Sequence, residues 1–117
     1  MKVWTVVMVL CWCIVLTACG KTSVAKDDID NLIQALKLYK LDNERYPASH
    51  QGLTALVSKP DSEPIPVNWK PYLVNIPKDP WGSDYIYEYP GSKGTIDIRS
   101  YGEDKKSSSD DIVKWIP

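Results

Sequence analysis

Three aspartates near the end of this 117-residue chain have the types and spacing best suited to chemistry. Asp104, Asp110 and Asp111 fall in the stretch Tyr101-Gly102-Glu103-Asp104-Lys105-Lys106-Ser107-Ser108-Ser109-Asp110-Asp111. Calcium takes six to eight oxygen ligands, carboxylate and carbonyl, from a loop able to wrap around it. The spacing lacks the EF-hand pattern, so from these residues alone a solvated acidic loop and a calcium loop both stand open. Other chemistry has less to work with. His50 is the single histidine and reads as a surface or capping residue before a turn. Ser107 to Ser109 have no positioned base, which a serine nucleophile requires. Neither a phosphate-cradling loop nor a recognisable catalytic carboxylate pair occurs, and the reading is of a protein that is not an enzyme. Trp81, Tyr85, Tyr87 and Tyr89 could stack a ligand, but core packing and cross-strand pairing account for them more simply.

The N-terminus carries a different kind of chemistry. No charged residue occurs between Lys2 and Lys21, and the intervening run is almost entirely apolar. A basic start, an apolar stretch and small residues have the layout of a secretory signal. The run is short for a membrane-spanning helix, which needs about 20 apolar residues. Leu16-Thr17-Ala18-Cys19, followed by Gly20, resembles the lipobox of bacterial lipoproteins. That resemblance implies cleavage before Cys19 and lipid on its sulfur. Acyl chains contribute about 0.8 kcal/mol per buried methylene, so several together anchor a soluble domain. Ordinary cleavage after Ala18 and an uncleaved anchor are the alternatives. Cys11 and Cys13 lie inside the apolar segment as small hydrophobes. All three cysteines are at or before position 19, so the rest of the chain forms no internal disulfide. The expected organisation is a signal over 1–18, a lipid-anchored tether over 19–26 and a globular domain over 27–117.

The elements that must position the acidic loop follow from the periodicity. Ile29, Leu32, Ile33 and Leu36 recur at helical spacing and predict a helix from Asp27 to about Asn43. Asp27, Asp28 and Asp30 suit its N-terminal end, Lys37 and Lys40 its C-terminal end. Leu38 and Leu41 fall partly off the main apolar stripe, which suggests packing on more than one side or an interface. Ser49 is placed to cap a shorter second helix running through Leu53, Leu56 and Val57. Six prolines between 60 and 80 exclude regular helix or central strand there. The apolar residues among them, Ile65, Val67, Trp69, Tyr72, Leu73 and Ile76, predict a long loop packed on a core. Tyr85–Tyr89 and Thr95–Arg99, separated by Pro90-Gly91-Ser92-Lys93-Gly94, read as a hairpin. Ile112–Trp115 offers a third short strand. The fold class is α+β, a long N-terminal helix covering one face of a small antiparallel sheet.

At this point the sequence resembles the major pseudopilins, protein G, of type II secretion systems. The resemblance rests on Ala35-Leu36-Lys37-Leu38-Tyr39-Lys40-Leu41-Asp42-Asn43, Arg45-Tyr46-Pro47 and Gln51-Gly52-Leu53-Thr54-Ala55-Leu56-Val57. It continues through Pro77-Lys78-Asp79-Pro80-Trp81-Gly82, Ile96-Asp97-Ile98, Ser100-Tyr101-Gly102 and Asp110-Asp111-Ile112, covering Asp27 to about Trp115. It implies a pseudopilin head and a calcium ion held by Asp104, Asp110, Asp111 and the backbone carbonyl of Tyr101. Lys105 and Lys106 stand where the resemblance has a glycine-containing stretch. The family's prepilin signal, a Gly-Phe cleavage site with a glutamate five residues into an apolar helix, has no counterpart here. The lipoprotein-like signal takes its place.

Composition narrows the partners. A net charge of −1 argues against electrostatic binding of nucleic acid. The expectation is a structural or interaction protein in or beside protein secretion, meeting the membrane through a lipid, with type II secretion components or like subunits as its expected partners. The alternative is a free-standing periplasmic lipoprotein using the same head as a binding module. Gly20 lacks the aspartate that retains lipoproteins at the inner membrane, which points to a periplasm-facing place at the outer membrane.

Overall fold

The computed structural model describes residues 2–103 and 111–117, with side chains from Gly20 onward. Helix α1 (Lys2–Asn43) leads into a 3₁₀ helix (Leu53–Leu56) and three strands, β1 (Ile86–Glu88), β2 (Ile96–Ser100) and β3 (Ile112–Ile116). The strands form one antiparallel sheet in the order β1-β2-β3. This is the α+β architecture expected from the sequence.

The helix starts earlier than Asp27. Residues 20–26, expected to be a tether, are helical. Gly20 opposes helix most, at about 1 kcal/mol, and Thr22, Ser23 and Val24 mildly, while lysine and alanine at 21, 25 and 26 favour it. Packing also begins early, because Ala25 is fully buried. Ala25, Ile29, Leu32, Ile33, Leu36 and Tyr39 form one stripe against Ile96 and Ile98 of β2, Tyr85, and Leu53 and Leu56 of the 3₁₀ helix. The C-terminal end falls at Asn43, as the periodicity predicts. Asn43 Nδ2 donates to Tyr39 O at 3.1 Å. Glu44, at φ 65°, donates its N–H to Lys40 O at 2.7 Å. A left-handed residue after the last turn satisfies a free carbonyl in this way.

The second helix is shorter than expected and Ser49 does not cap it. The 3₁₀ helix begins after Gly52, with no side-chain cap. The Ser49 hydroxyl instead donates to Tyr89 O and accepts the Tyr89 N–H. Gly52 has φ 65°, a conformation open to glycine, so the α-helix cannot run through it.

The proline-rich loop does pack on the core. Trp69 Nε1 donates to Ala55 O at 2.7 Å. The N–H groups of Tyr72 and Leu73 both donate to Leu56 O. Gln51, buried, spans Ser62 O and Pro64 O with its amide and accepts Ala48 N–H. Ile65 and Val67, expected inside, are exposed. Pro66 between them is buried instead. At the end of α1, the Tyr72 hydroxyl donates to Asp42 Oδ2 at 2.8 Å and Asn68 N–H to Asn43 Oδ1 at 2.9 Å.

Candidate metal centre

The candidate loop joins β2 to β3. In that ladder Ser100 pairs with Ile112. Tyr101 and Asp111 are therefore the first residues beyond the paired strands, facing each other at the mouth of the loop. Both are partly buried. Each brings the hard oxygen donor that calcium takes, a backbone carbonyl and a carboxylate, so this part of the donor set fits the ion. Asp104 and Asp110 lie outside the described residues, as do Lys105, Lys106 and Ser107–Ser109. Among the described residues no group of three or more His, Cys, Asp or Glu could hold a metal.

The mouth of the loop is held by groups that the periodicity of the sequence does not single out. Asp79 is almost fully buried and Ser100 completely so. The Ser100 hydroxyl donates to Asp79 Oδ2 at 2.8 Å and accepts the Gly102 N–H at 3.2 Å. Asp79 Oδ1 accepts the N–H groups of Trp81 and Ser83 at 3.1 and 2.7 Å. The turn closes through Gly82 N–H to Asp79 O and Asp79 N–H to Ser83 O. Asp-Pro-Trp-Gly is an Asx-type turn signature, and that was the available signal. That the second carboxylate oxygen would reach Ser100, 21 residues away, has no local signature.

A second buried carboxylate organises the opposite end of the sheet. Asp97, in the middle of β2, is fully buried. Its Oδ2 accepts Ser92 N–H, Ser92 Oγ–H and Lys93 N–H at 2.8, 2.8 and 3.0 Å, and its Oδ1 accepts Gly94 N–H at 3.2 Å. The Arg99 guanidinium lies 3.6 Å from Oδ2. Burial pushes the Asp97 carboxyl up, but the bonds from Lys93, Ser92 and Gly94 together outweigh it and hold it below the usual carboxylate range. A polar residue on the outer face of a central strand thus becomes the hub of the β1–β2 turn.

The remaining candidates resolve into structural roles. His50 Nε2 lies 2.9 Å from Glu63 O and links the 3₁₀ region to the proline-rich loop. Tyr85 donates to Asp28 Oδ2 at 2.7 Å and Tyr87 to Pro47 O at 2.6 Å. Burial raises both phenols above their ordinary range, and the Asp28 carboxylate raises Tyr85 further. Tyr46 and Tyr89 meet edge to face at 6.0 Å. These rings brace the core rather than form an open stacking platform. Leu38 and Leu41 are exposed on α1, Leu41 to 77%. Val24 lies about 40° around the helix from Leu38 and is exposed too. Cys19 falls within α1.

A long helix laid across a three-stranded antiparallel sheet is the architecture of a pseudopilin head. The solved major pseudopilin of the type 2 secretion system of enterohaemorrhagic Escherichia coli superposes with a TM-score of 0.78 at 40% identity, over 87% of this chain and 92% of that one. Residues 15–116 match the family described as type II secretion system (T2SS), protein G, and the chain belongs to that family. The type II secretion system core protein G of Pseudomonas aeruginosa is 50% identical over 102 residues, covering 82% of this chain and 72% of the relative. Its counterpart in Vibrio cholerae is 47% identical over 97 residues, covering 78% of this chain and 66% of the relative. That of E. coli K12 is 43% identical over 94 residues, covering 78% and 65%. The chain thus spans about two thirds of the length of these relatives.

Proposed function

We propose that this chain is a non-enzymatic subunit of the type II secretion machinery, a pseudopilin head held at the membrane by a lipid on Cys19 and stabilised by calcium in the β2–β3 loop. Membership of the protein G family, matched over residues 15–116, carries the secretion role. The Leu16-Thr17-Ala18-Cys19 sequence supports the anchor. In this reading residues 1–18 are removed and α1 begins at Cys19. The stretch expected to be a tether is then a helical stalk continuous with the head. Tyr101, Asp104, Asp110 and Asp111 would hold the calcium, which supplies a cross-link between the ends of the loop. An ion that binds the folded state alone stabilises it by RT ln(1 + [L]/Kd). The exposed side chains of Leu38 and Leu41 are the contact surface for secretion components or like subunits.

Two measurements test this together. Cysteine cross-linking at positions 38 and 41 in intact cells should capture a secretion component or a second copy of the chain, and Leu41→Lys should abolish both capture and secretion without lowering Tm. Labelling with a fatty-acid probe should mark the wild type and not Cys19→Ala. An N-terminus lacking lipid, or cells that secrete normally without the protein, would overturn the corresponding half.

Gly20 after Cys19 supports a second reading, a free-standing periplasmic lipoprotein of the outer membrane. Recovery in the outer-membrane fraction, with no secretion component captured at Leu38 or Leu41, would favour it.

A further inference from the structure

We infer that the open edge of β3 takes up an extended acidic segment of another protein as an added strand. The site is separate from Leu38 and Leu41, and it depends on neither the lipid nor the calcium. Thr95 N–H donates to Ile116 O at 2.7 Å, so the backbone groups of Ile116 face β2. In an antiparallel ladder, residues whose backbone groups face the neighbouring strand alternate with residues whose groups face away. Lys114 and Ile112 therefore also face β2, while Val113 and Trp115 turn their N–H and C=O groups outward. Among the described residues no strand pairs with that side of β3. The other edge of the sheet is closed, because the Ser49 hydroxyl donates to Tyr89 O and accepts its N–H just beyond β1. An exposed edge strand is a template for one more strand.

The surroundings select the occupant. Beside this edge, Lys26, Ile29 and Asp30 of α1 wall a groove of about 490 Å³ against β3. Asp30 is ion-paired with Lys114, whereas Lys26 has no ion pair among the described residues. Asp27 lies about 100° further round the helix, away from β3. The groove therefore keeps an unneutralised positive charge. On the opposite face of β3, Trp115 is 46% exposed, and Lys93 stands over its ring at 5.2 Å. The side chains of an added strand alternate between the two faces. Those on the α1 side meet Lys26 and Lys114, which calls for carboxylates. Those on the outer side lie beside Val113 and Trp115, which calls for apolar groups. A second copy of β3 fits poorly. Two-fold pairing through Val113 and Trp115 sets Lys114 directly opposite the same residue of the second copy, and like charges so placed repel.

The test is fluorescence anisotropy with the full detergent-solubilised chain and a short labelled peptide of alternating valine and glutamate. Binding should saturate. The same peptide with lysine in place of glutamate should bind about tenfold more weakly or worse. Lys26→Glu should weaken binding of the glutamate peptide about fivefold at low salt, with an unchanged Tm. Val113→Pro removes an outward N–H, a change that an edge strand tolerates, and should abolish binding. A glutamate peptide N-methylated on the amides that face β3 should fail to bind the wild type, which decides the matter if Val113→Pro does not fold. No binding by the wild type, equal binding of the two charged peptides, or binding that survives the N-methylated peptide or Val113→Pro overturns the inference. So does a dimer in sedimentation that Val113→Pro makes monomeric, since the edge then belongs to a second copy. Cross-linking through positions 38 and 41 is read separately, so failure here leaves the proposed secretion role standing.

Discussion

The hydroxyl of Tyr85 donates to the Asp28 carboxylate at 2.7 Å, joining the residue before β1 to α1 across 57 positions of sequence. The ring is buried against the helix stripe, so the bond lies at the edge of the core and not in open solvent. Beside it, Lys114 of β3 is ion-paired with Asp30. One helix turn thus grips the sheet from both flanks. Tyr85→Phe keeps the ring and removes the bond. A hydrogen bond to a charged group contributes about 1.5–3 kcal/mol, and partial exposure of the carboxylate places this one near the lower end. Urea unfolding should show a loss of about 1.5 kcal/mol with an unchanged m-value.

Acid should act on Asp97. Its folded-state carboxyl is held below the ordinary value, so the unfolded chain takes up the proton first as pH falls. The stabilisation is complete above the unfolded value, near 3.8, and is lost as pH falls through the lower folded value. Asp97→Asn can accept with one oxygen only, although four donors converge on the carboxylate. The expected loss is about 3 kcal/mol at neutral pH, shrinking as the pH drops below 4. Denaturant midpoints of both proteins, measured from pH 7 downward, should converge.

Base should act on the phenols. Burial, reinforced by the hydrogen bond to Asp42, pushes Tyr72 up to about 12. Unfolded tyrosine ionises near 10, so the folded state resists losing this proton. Stability from Tyr72 is therefore intact below pH 10 and is lost as pH rises toward 12. Ultraviolet titration should show tyrosines that ionise only as the protein unfolds, Tyr72 among them. In Tyr72→Phe, the alkaline loss of stability should be smaller.

Gly94 is required by close approach. A Cβ there would collide with the carbonyl oxygen of Ile116 and lie 2.9 Å from Trp115 Cδ1. The same carbonyl accepts Thr95 N–H at 2.7 Å. Backbone cannot move aside without losing that bond, so Gly94→Ala should cost about 2 kcal/mol, read as a lower Tm. An alanine at Gly82, whose φ of 86° is strained for any side chain but whose Cβ meets nothing, should cost about 1 kcal/mol.

Lys105 and Lys106 place two positive charges in the loop proposed to hold calcium. Replacing both with glutamine should tighten calcium binding about fivefold at low salt, from Coulomb repulsion across a mostly aqueous path. Screening should shrink the difference at high ionic strength. Equal affinity of the two proteins at low salt would place the ion elsewhere.

Much of this molecule was legible in its sequence because the signals are local. The 3.6-residue recurrence of Ile29, Leu32, Ile33 and Leu36 determined the helix and its buried face. Alternation around Ile96 and Ile98 determined the central strand, and six prolines determined that residues 60–80 would be loop. The long motifs ending in Asp110-Asp111-Ile112 placed the chain among pseudopilins. What needed tertiary structure were the partners of buried polar groups. Asp97 reads as one residue of a strand until the turn at 91–94 folds over it and supplies four donors. Ser49 reads as a helix cap until Tyr89 competes for its hydroxyl. Asp79 reads as a local turn residue until its second oxygen meets Ser100, 21 positions on. Periodicity reports which residues leave water, since burial repeats with the backbone. It says nothing of which distant donor a buried carboxylate will meet, and that pairing is settled only when the helix and sheet close together.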